Sequence, residues 1–268
     1  MSVSDPERGI FKAKKKDGTV YYRASLTYRR KHISLGSFSA PEQAHQAYLE
    51  GQHLLADQSI QLLSYSQDSL LSFEKWVILL NFRDNALYFG TPIYLGQKMF
   101  YYYLSPTQVL KFDLDDLFYY SSHKIMCRGN HYFVADYGMQ ISIVSRYGIK
   151  SYAVPGRDYR FLNGDCLDFR RVNLEILNSY HGVSMSIKKG QRFYTARIHI
   201  HGNYVIGRYD TPLEAAIAYN KAIDILKKNG LEKDFQPNYI EDLSPSRYAE
   251  IYSQLKISPK ITTYRPSK

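Results

Sequence analysis

Two stretches near opposite ends of the chain carry one pattern, and that internal repeat constrains the fold more than any other feature. Residues 9–48 read GIFKAKKKDGTVYYRASLTYRRKHISLGSFSAPEQAHQAY, and residues 182–219 read GVSMSIKKGQRFYTARIHIHGNYVIGRYDTPLEAAIAY. Both share a Gly followed by an apolar residue, a Lys-rich turn, and an alternating strand around Ala24 or Ala196. A second strand then closes on Leu35-Gly36-Ser37-Phe38 or Ile206-Gly207-Arg208-Tyr209. Each copy therefore predicts three short antiparallel strands followed by one helix.

The second copy gives the clearest local signals. Alternation from Arg192 to Ile200 puts Tyr194, Ala196, Ile198 and Ile200 on one face and Thr195, Arg197, His199 and His201 on the other. Gly202-Asn203 is the expected hairpin turn. Thr211 suits an N-cap, with Pro212 at the first helical position and Glu214 three residues on, and Gly230 suits the stop. The helix would bury Leu213, Ala216, Ile217, Tyr219, Ala222, Ile223 and Leu226 against one sheet face, leaving the polar and basic face exposed.

Charge gives that exposed face a meaning. The chain of 268 residues has a formal net charge of +10 and 26 tyrosines. Such a surplus favours a polyanionic partner. Tyrosines can fill half-buried sheets or stack on bases. Cys127 and Cys166 are the only cysteines, which excludes a disulfide framework or a cysteine-rich zinc site. The opening residues carry no apolar signal segment, and no run reaches the ~18 apolar residues a membrane span needs, so an intracellular, non-membrane protein is expected.

The repeated pattern resembles the ethylene-response-factor (APETALA-two) DNA-binding domain, through the Gly-apolar start, the A-x-I strand, the apolar-Gly-x-aromatic corner and the E-A-A-x-A-Y helix. In that family the three-stranded sheet enters the major groove. The resemblance implies a groove-facing set of Thr195, Arg197, His199, Asn203 and Val205 in the second copy, and of Arg23, Ser25, Thr27, His32 and Ser34 in the first. The family's base-contacting Trp residues are absent here. Lys14, Lys15, Lys16, Arg29, Arg30, Lys31, Lys188, Lys189 and Arg192 are expected to meet phosphates.

Between the copies, residues 60–84 read as a partly helical, packed connector through Leu62, Leu63, Leu70, Leu71, Trp76, Ile78 and Leu79. Further on, Asn163-Gly164-Asp165-Cys166-Leu167-Asp168 followed by Arg170-Arg171-Val172-Asn173-Leu174 resembles the turn and helix of an HNH endonuclease. The earlier FDLDDLFYY resembles the acidic stretch that opens such domains. The family holds a divalent metal with an Asp and a helix Asn, and its His activates the attacking water. By that resemblance Asn173 takes the helix position, but Arg160 stands where the Asp belongs and Phe161 where the His belongs. Neither can do that chemistry. Asp165 and Asp168 are read as bracing the turn, and Arg170 and Arg171 as suited to phosphate.

In the tail, SPSRYAEIYSQLKIS reads as an amphipathic helix with Tyr248, Ile251, Tyr252 and Leu255 in one stripe, packed on the preceding module, and ITTYRPSK reads as loose. The expectation is an α+β protein of two three-stranded-sheet-plus-helix DNA-binding modules flanking a degenerate HNH (ββα) core. Its segments are 1–58, 59–87, 88–180, 181–230 and 231–268: first module, connector, nuclease-like domain, second module, tail. The expected function is binding of double-stranded DNA as a non-catalytic regulator or architectural factor of homing-endonuclease descent, with no cofactor. A divergent nickase using Mg²⁺ through Asn173, and an RNA-binding protein, are the alternatives.

Overall fold

A computed structural model of the chain describes residues 8–150, 153–241 and 243–266. Residues 1–7, read above for a signal segment, and the last two residues of the tail lie outside them. The fold is mixed α+β, with several small antiparallel sheets and, among the described residues, six helices. The chain forms two compact units. One runs up to Ile143 and takes in Asp165–Arg171; the other comprises Val144–Gly164 and the residues from Val172 onward. None of these helices is long and apolar enough to cross a membrane.

The first unit opens with strands β1 (Ile10–Lys14), β2 (Val20–Tyr28) and β3 (Lys31–Phe38), in that spatial order, and helix α1 (Pro41–Ala56). Ala24, Leu26, Ile33 and Leu35 meet Ala44, Ala47, Tyr48 and Leu54 in one core, each apolar side chain contributing on the order of 1.5–3 kcal/mol when fully buried. Helix α2 (Phe73–Asn85), capped by Ser72, adds Trp76, Leu79, Leu80 and Phe82 to the same core. The expected connector is thus part of the first module's packing, although Leu63 is 94% exposed and falls outside its core. The buried Arg83 donates to the carbonyls of Leu54, Asp57 and Ile60 at 3.0, 2.6 and 2.9 Å. A cation thereby serves two acceptors at the C-terminal end of α1, Leu54 and its C-cap Asp57, and a third just beyond the helix.

Strands β4 (Ile93–Leu95), β5 (Phe100–Tyr103) and β6 (Val109–Phe112) make a second sheet, followed by helix α3 (Leu117–Ser122). Two of the 26 tyrosines are consumed here: Tyr102 and Tyr120 are fully buried with Phe100 and Phe112. The Phe112 ring lies 4.5 Å from Tyr120 and 5.8 Å from Phe169. Phe169 arrives because β6 pairs onward: Lys111 N–H donates to Leu167 O and Phe169 N–H to Lys111 O, both at 2.9 Å. A third sheet, β7 (Ile125–Arg128), β8 (His131–Asp136) and β9 (Met139–Ser142), completes this unit.

In the second unit a short hairpin of β10 (Tyr159–Phe161) and β11 (Leu174–Ile176) precedes the repeat's other copy. That copy consists of β12 (Val183–Lys188), β13 (Gln191–His199), β14 (Asn203–Tyr209) and helix α4 (Pro212–Lys228). The α4 start follows the expected capping box: Thr211 accepts from Glu214 N–H, and Glu214 reaches back to Thr211 N–H. The β13–β14 turn is not the two-residue Gly202-Asn203 turn expected. Asn203 pairs with His199, so Ile200, His201 and Gly202 make a three-residue connection. Helix α5 (Pro245–Gln254) packs on α4, where Tyr248 Oη accepts from Asn220 at 3.2 Å and Tyr252 Oη donates to Asp224 at 2.8 Å. Helix α6 (Pro259–Thr262) buries Ile261 in the same core, and Tyr264 packs against that core, so this part of the expected loose tail is tied down.

Two details show that the copies are built alike. Each has a β-bulge at the same point: Leu35 lies unpaired between Ser34 and Gly36 opposite β2, and Ile206 between Val205 and Gly207 opposite β13. Each also rests the opening glycine against a helix tyrosine. A Cβ on Gly9 would come within 2.2 Å of the Tyr48 ring, and one on Gly182 within 2.4 Å of the Tyr219 ring. Both glycines have positive φ, +79° and +68°, so close approach and backbone conformation demand glycine together.

Candidate nucleic-acid interface

The six strands of the two modules contain no Asp or Glu, but carry Lys12, Lys14, Arg23 and Lys31 in one copy and Lys188, Arg192, Arg197 and Arg208 in the other. Helices α1 and α4 cover one face of their sheets, and all eight cations are exposed. The pairing registers put Arg23 on the open face of the first copy and Lys188, Arg197 and Arg208 on that of the second, while Lys12, Lys14, Lys31 and Arg192 lie toward the sheet ends on the helix-side alternation. Thr27, His32 and Ser34 accompany Arg23 on the open face, as His199, Asn203 and Val205 accompany Arg197.

Two members of the expected set are not available to a ligand. Ser25 and Thr195 are buried, each 5% exposed. Alternation put both outward, but a short side chain on a central strand is covered by its neighbours. Thr195 stands between Ser184 and Arg208 on the flanking strands. Ser25 donates its backbone N–H to Gly9 O at 2.9 Å, as Arg197 does to Gly182 O at 2.7 Å. That shared bond makes Ser25 the counterpart of Arg197, and Arg23 the counterpart of Thr195. Arg208, absent from the expected set, is brought to the face two residues past the bulge, with its guanidinium 5.7 Å from the Phe193 ring centre. Simple alternation from buried Ile206 would place it inward; the bulge reverses the phase, which the sequence pattern alone did not signal.

The hairpin tips differ. Arg29 and Arg30 both adopt left-handed backbone, φ 46° and 64°, to make the two-residue β2–β3 turn. Such a turn suits Asn-Gly; two arginines there hold strain on the order of 1–2 kcal/mol each. Arg29 lies 5.3 Å from the Tyr28 ring centre and Lys31 lies 5.0 Å from that of Tyr88. Lys189-Gly190 makes the β12–β13 turn, also with positive φ, and keeps Lys188 and Lys189 exposed.

The HNH-like line folds differently from expectation. Asn173 is not on an α-helix: Arg171–Asn173 is a single 3₁₀ turn leading straight into β11. Asn173 is 3% exposed, and its side-chain oxygen accepts Asn163 N–H at 2.8 Å. Three intervening residues cannot wind a helix when Leu174–Ile176 must pair with β10. Arg160 forms an ion pair with Glu175 directly opposite, and Phe161 packs its ring 5.6 Å from Tyr159. These residues do not fit a divalent cation. Among the described residues no group of three or more His, Cys, Asp and Glu is gathered for a metal.

Asp165 and Asp168 brace the turn. Asp165 accepts Leu167 N–H, and its link to Lys111 at 2.7 Å lowers the Asp165 pKa and raises that of Lys111. Asp168 is fully buried and holds Arg170 through two bonds of 2.8 and 2.6 Å. Arg170, expected to meet phosphate, is thus already engaged by a carboxylate, while Arg171 keeps an exposed side chain. In the acidic stretch Asp113 accepts Arg171 N–H at 2.8 Å and Asp116 is buried, so both positions are structural.

Each module also has a cleft where its opening glycine meets its helix tyrosine. The first is about 730 Å³, bordered by Ser25, Thr27, His32 and Tyr48. The second is about 440 Å³, bordered by their counterparts Arg197, His199, Asn203 and Tyr219. No protein-family model, curated protein or solved structure matches this chain.

Proposed function

We propose that this chain binds nucleic acid, and specifically double-stranded DNA, through the exposed faces of its two sheet-and-helix modules. The observation that carries the reading is the doubled acid-free sheet with four exposed cations on each copy. One such sheet is common on a basic protein; acid-free, cation-bearing strands on two copies of one scaffold are a pattern that suits a regularly spaced polyanion. Lysines and arginines at the turns would hold phosphates, and Arg23, Arg197 and Arg208 would reach base edges. The middle segment is read as a non-catalytic relic of an HNH homing endonuclease, which the Arg160–Glu175 pair and the inward commitment of Asn173 support. A regulatory or architectural role follows from binding without cleavage.

Duplex affinity measured by fluorescence anisotropy across a salt series should fall steeply, with a log–log slope of about −4 or steeper if half or more of these cations each meet a phosphate. Salt-insensitive binding, or none at low salt, would sink the reading. Arg197→Ala should weaken a specific duplex more than an unrelated one; structured RNA that outcompetes duplex DNA would move the partner to RNA. Plasmid nicking with Mg²⁺ that disappears in Asn173→Ala would restore the nuclease.

A further inference from the structure

The smaller cleft lies wholly within the second unit, and its charged lining is Lys150, Arg157, Asp158 and Arg197: three cations against one carboxylate. That carboxylate is spoken for. Asp158 accepts Val154 N–H at 2.8 Å and Arg157 through bonds of 3.0 and 2.7 Å, with Asn178 at 3.4 Å on its other oxygen. Burial pulls the Asp158 pKa up, but Arg157 and the Val154 amide outweigh it and keep the carboxyl below its usual value. Arg157 and Asp158 therefore neutralise one another, leaving Lys150 and Arg197.

The Lys150 Nζ is withdrawn from solvent and has no hydrogen-bond partner. An ammonium carries three donors, and burying it without an acceptor is unfavourable. Burial lowers the Lys150 pKa to about 8 although Asp158 pulls the other way. The Arg197 guanidinium has a single long contact, 3.5 Å to Ser184 Oγ. Both line the cleft, and neither meets a carboxylate of the described residues there.

We propose that this cleft is a phosphate-binding site in which Lys150 and Arg197 take the anion, and that its occupant is a phosphate of a nucleic-acid strand lying on the β12–β14 face. The choice of phosphate over a carboxylate rests on the nucleic-acid reading above, since Arg197 belongs to both cleft and face. At about 440 Å³ the cleft is within the ordinary range for small-molecule sites and has room for a phosphodiester with part of each adjoining sugar. The first module's cleft has Ser25 where this one has Arg197, and so serves as an internal contrast.

The test uses the full chain and Lys150→Met, which keeps side-chain length and removes the charge. In chloride the variant should melt at or above the wild-type temperature, because an unpartnered buried charge is gone; weaker binding is then not a folding defect. Inorganic phosphate, against chloride at equal ionic strength, should raise the melting temperature of the wild type and not of Lys150→Met. Duplex affinity should drop about tenfold in the variant, with the salt slope shallower by about one. A 5′-phosphorylated duplex that binds no better than an unphosphorylated one identifies an internal phosphodiester; tighter binding identifies a terminal phosphate. Should the wild type bind no duplex while its response to inorganic phosphate still requires Lys150, the site stands with a free anion as ligand and the nucleic-acid reading fails. Equal phosphate response and equal duplex affinity in both proteins overturn the site.

Discussion

The two modules share scaffold, bulge, glycine and tyrosine, yet they place their central-strand arginine two residues apart. In the first it is Arg23, before the bulge, with the small Ser25 after it; in the second it is Arg197, after the bulge, with Thr195 before it. Side chains two apart on a strand share a face, separated by roughly 6–7 Å. The same surface is therefore kept while its charge moves along the strand, to a place between Phe11 and Ser37 in one copy and to the glycine-lined cleft in the other. Duplicated scaffolds can thus be conserved by packing while the faces they present diverge, and these two would not read the same base pattern.

The shared frame can be broken most directly at the opening glycine. Gly9→Ala and Gly182→Ala each force a Cβ into a tyrosine ring and into backbone oxygen, Ser25 O at 2.8 Å or Arg197 O at 2.2 Å, from a left-handed backbone. Each should cost roughly 3 kcal/mol, left-handed strain plus overpacking, measured by urea unfolding of the affected unit. Comparable losses sharpen the equivalence of the modules. A loss confined to one would show that the repeat is similar in outline only.

At the hairpin tip the copies already differ, and the difference separates stability from binding. The strained Arg29-Arg30 turn of β2–β3 has no counterpart in the three-residue turn after His199. Replacing it by Asn-Gly, with Arg29→Asn and Arg30→Gly together, should stabilise the first unit by about 1–2 kcal/mol. The same change should weaken duplex binding and make its salt slope shallower by up to about two. A more stable protein with unchanged affinity would remove these arginines from the interface and leave their strain without a functional account.

Much of this was legible because it is local. Thr211, Pro212 and Glu214 lie within one helical turn and act on each other alone, so the start of α4 could be placed from four residues. The three-strand-and-helix order followed from alternation and the repeat. What alternation could not supply was depth: Ser25 and Thr195 point the expected way but are buried by flanking strands distant in sequence. The helix expected at Asn173 is missing for a similar reason. The residues of the HNH-like line resemble a helix-bearing motif, but strand pairing of Leu174–Ile176 with Tyr159–Phe161 leaves only a 3₁₀ turn for Asn173. Lys150 carried no local signal at all; its isolation is a property of the assembled cleft.

The smallest difference between the modules lies at their helix starts, and it offers the finest test of their equivalence. Helix α1 begins at Ala40, which has extended backbone at φ −119° and ψ 144° but no side chain able to cap; Pro41 follows it as Pro212 follows Thr211. The Thr211 backbone is nearly the same, φ −124° and ψ 152°. Ala40→Thr therefore places a hydroxyl where the backbone already suits it, three residues before Gln43, whose amide can answer as Glu214 does. The exchange should stabilise the first unit by about 1 kcal/mol, and Thr211→Ala should cost the second about as much. Urea unfolding of both variants should give near mirror-image shifts in midpoint. If Ala40→Thr gains nothing while Thr211→Ala loses its full share, the two helix starts differ in more than their caps, since Ser39 already contacts Gln43 at 3.2 Å and could withhold it from the new hydroxyl's box. A Ser39→Ala, Ala40→Thr double variant would then recover the missing stabilisation, which ties the shortfall to that one competing contact.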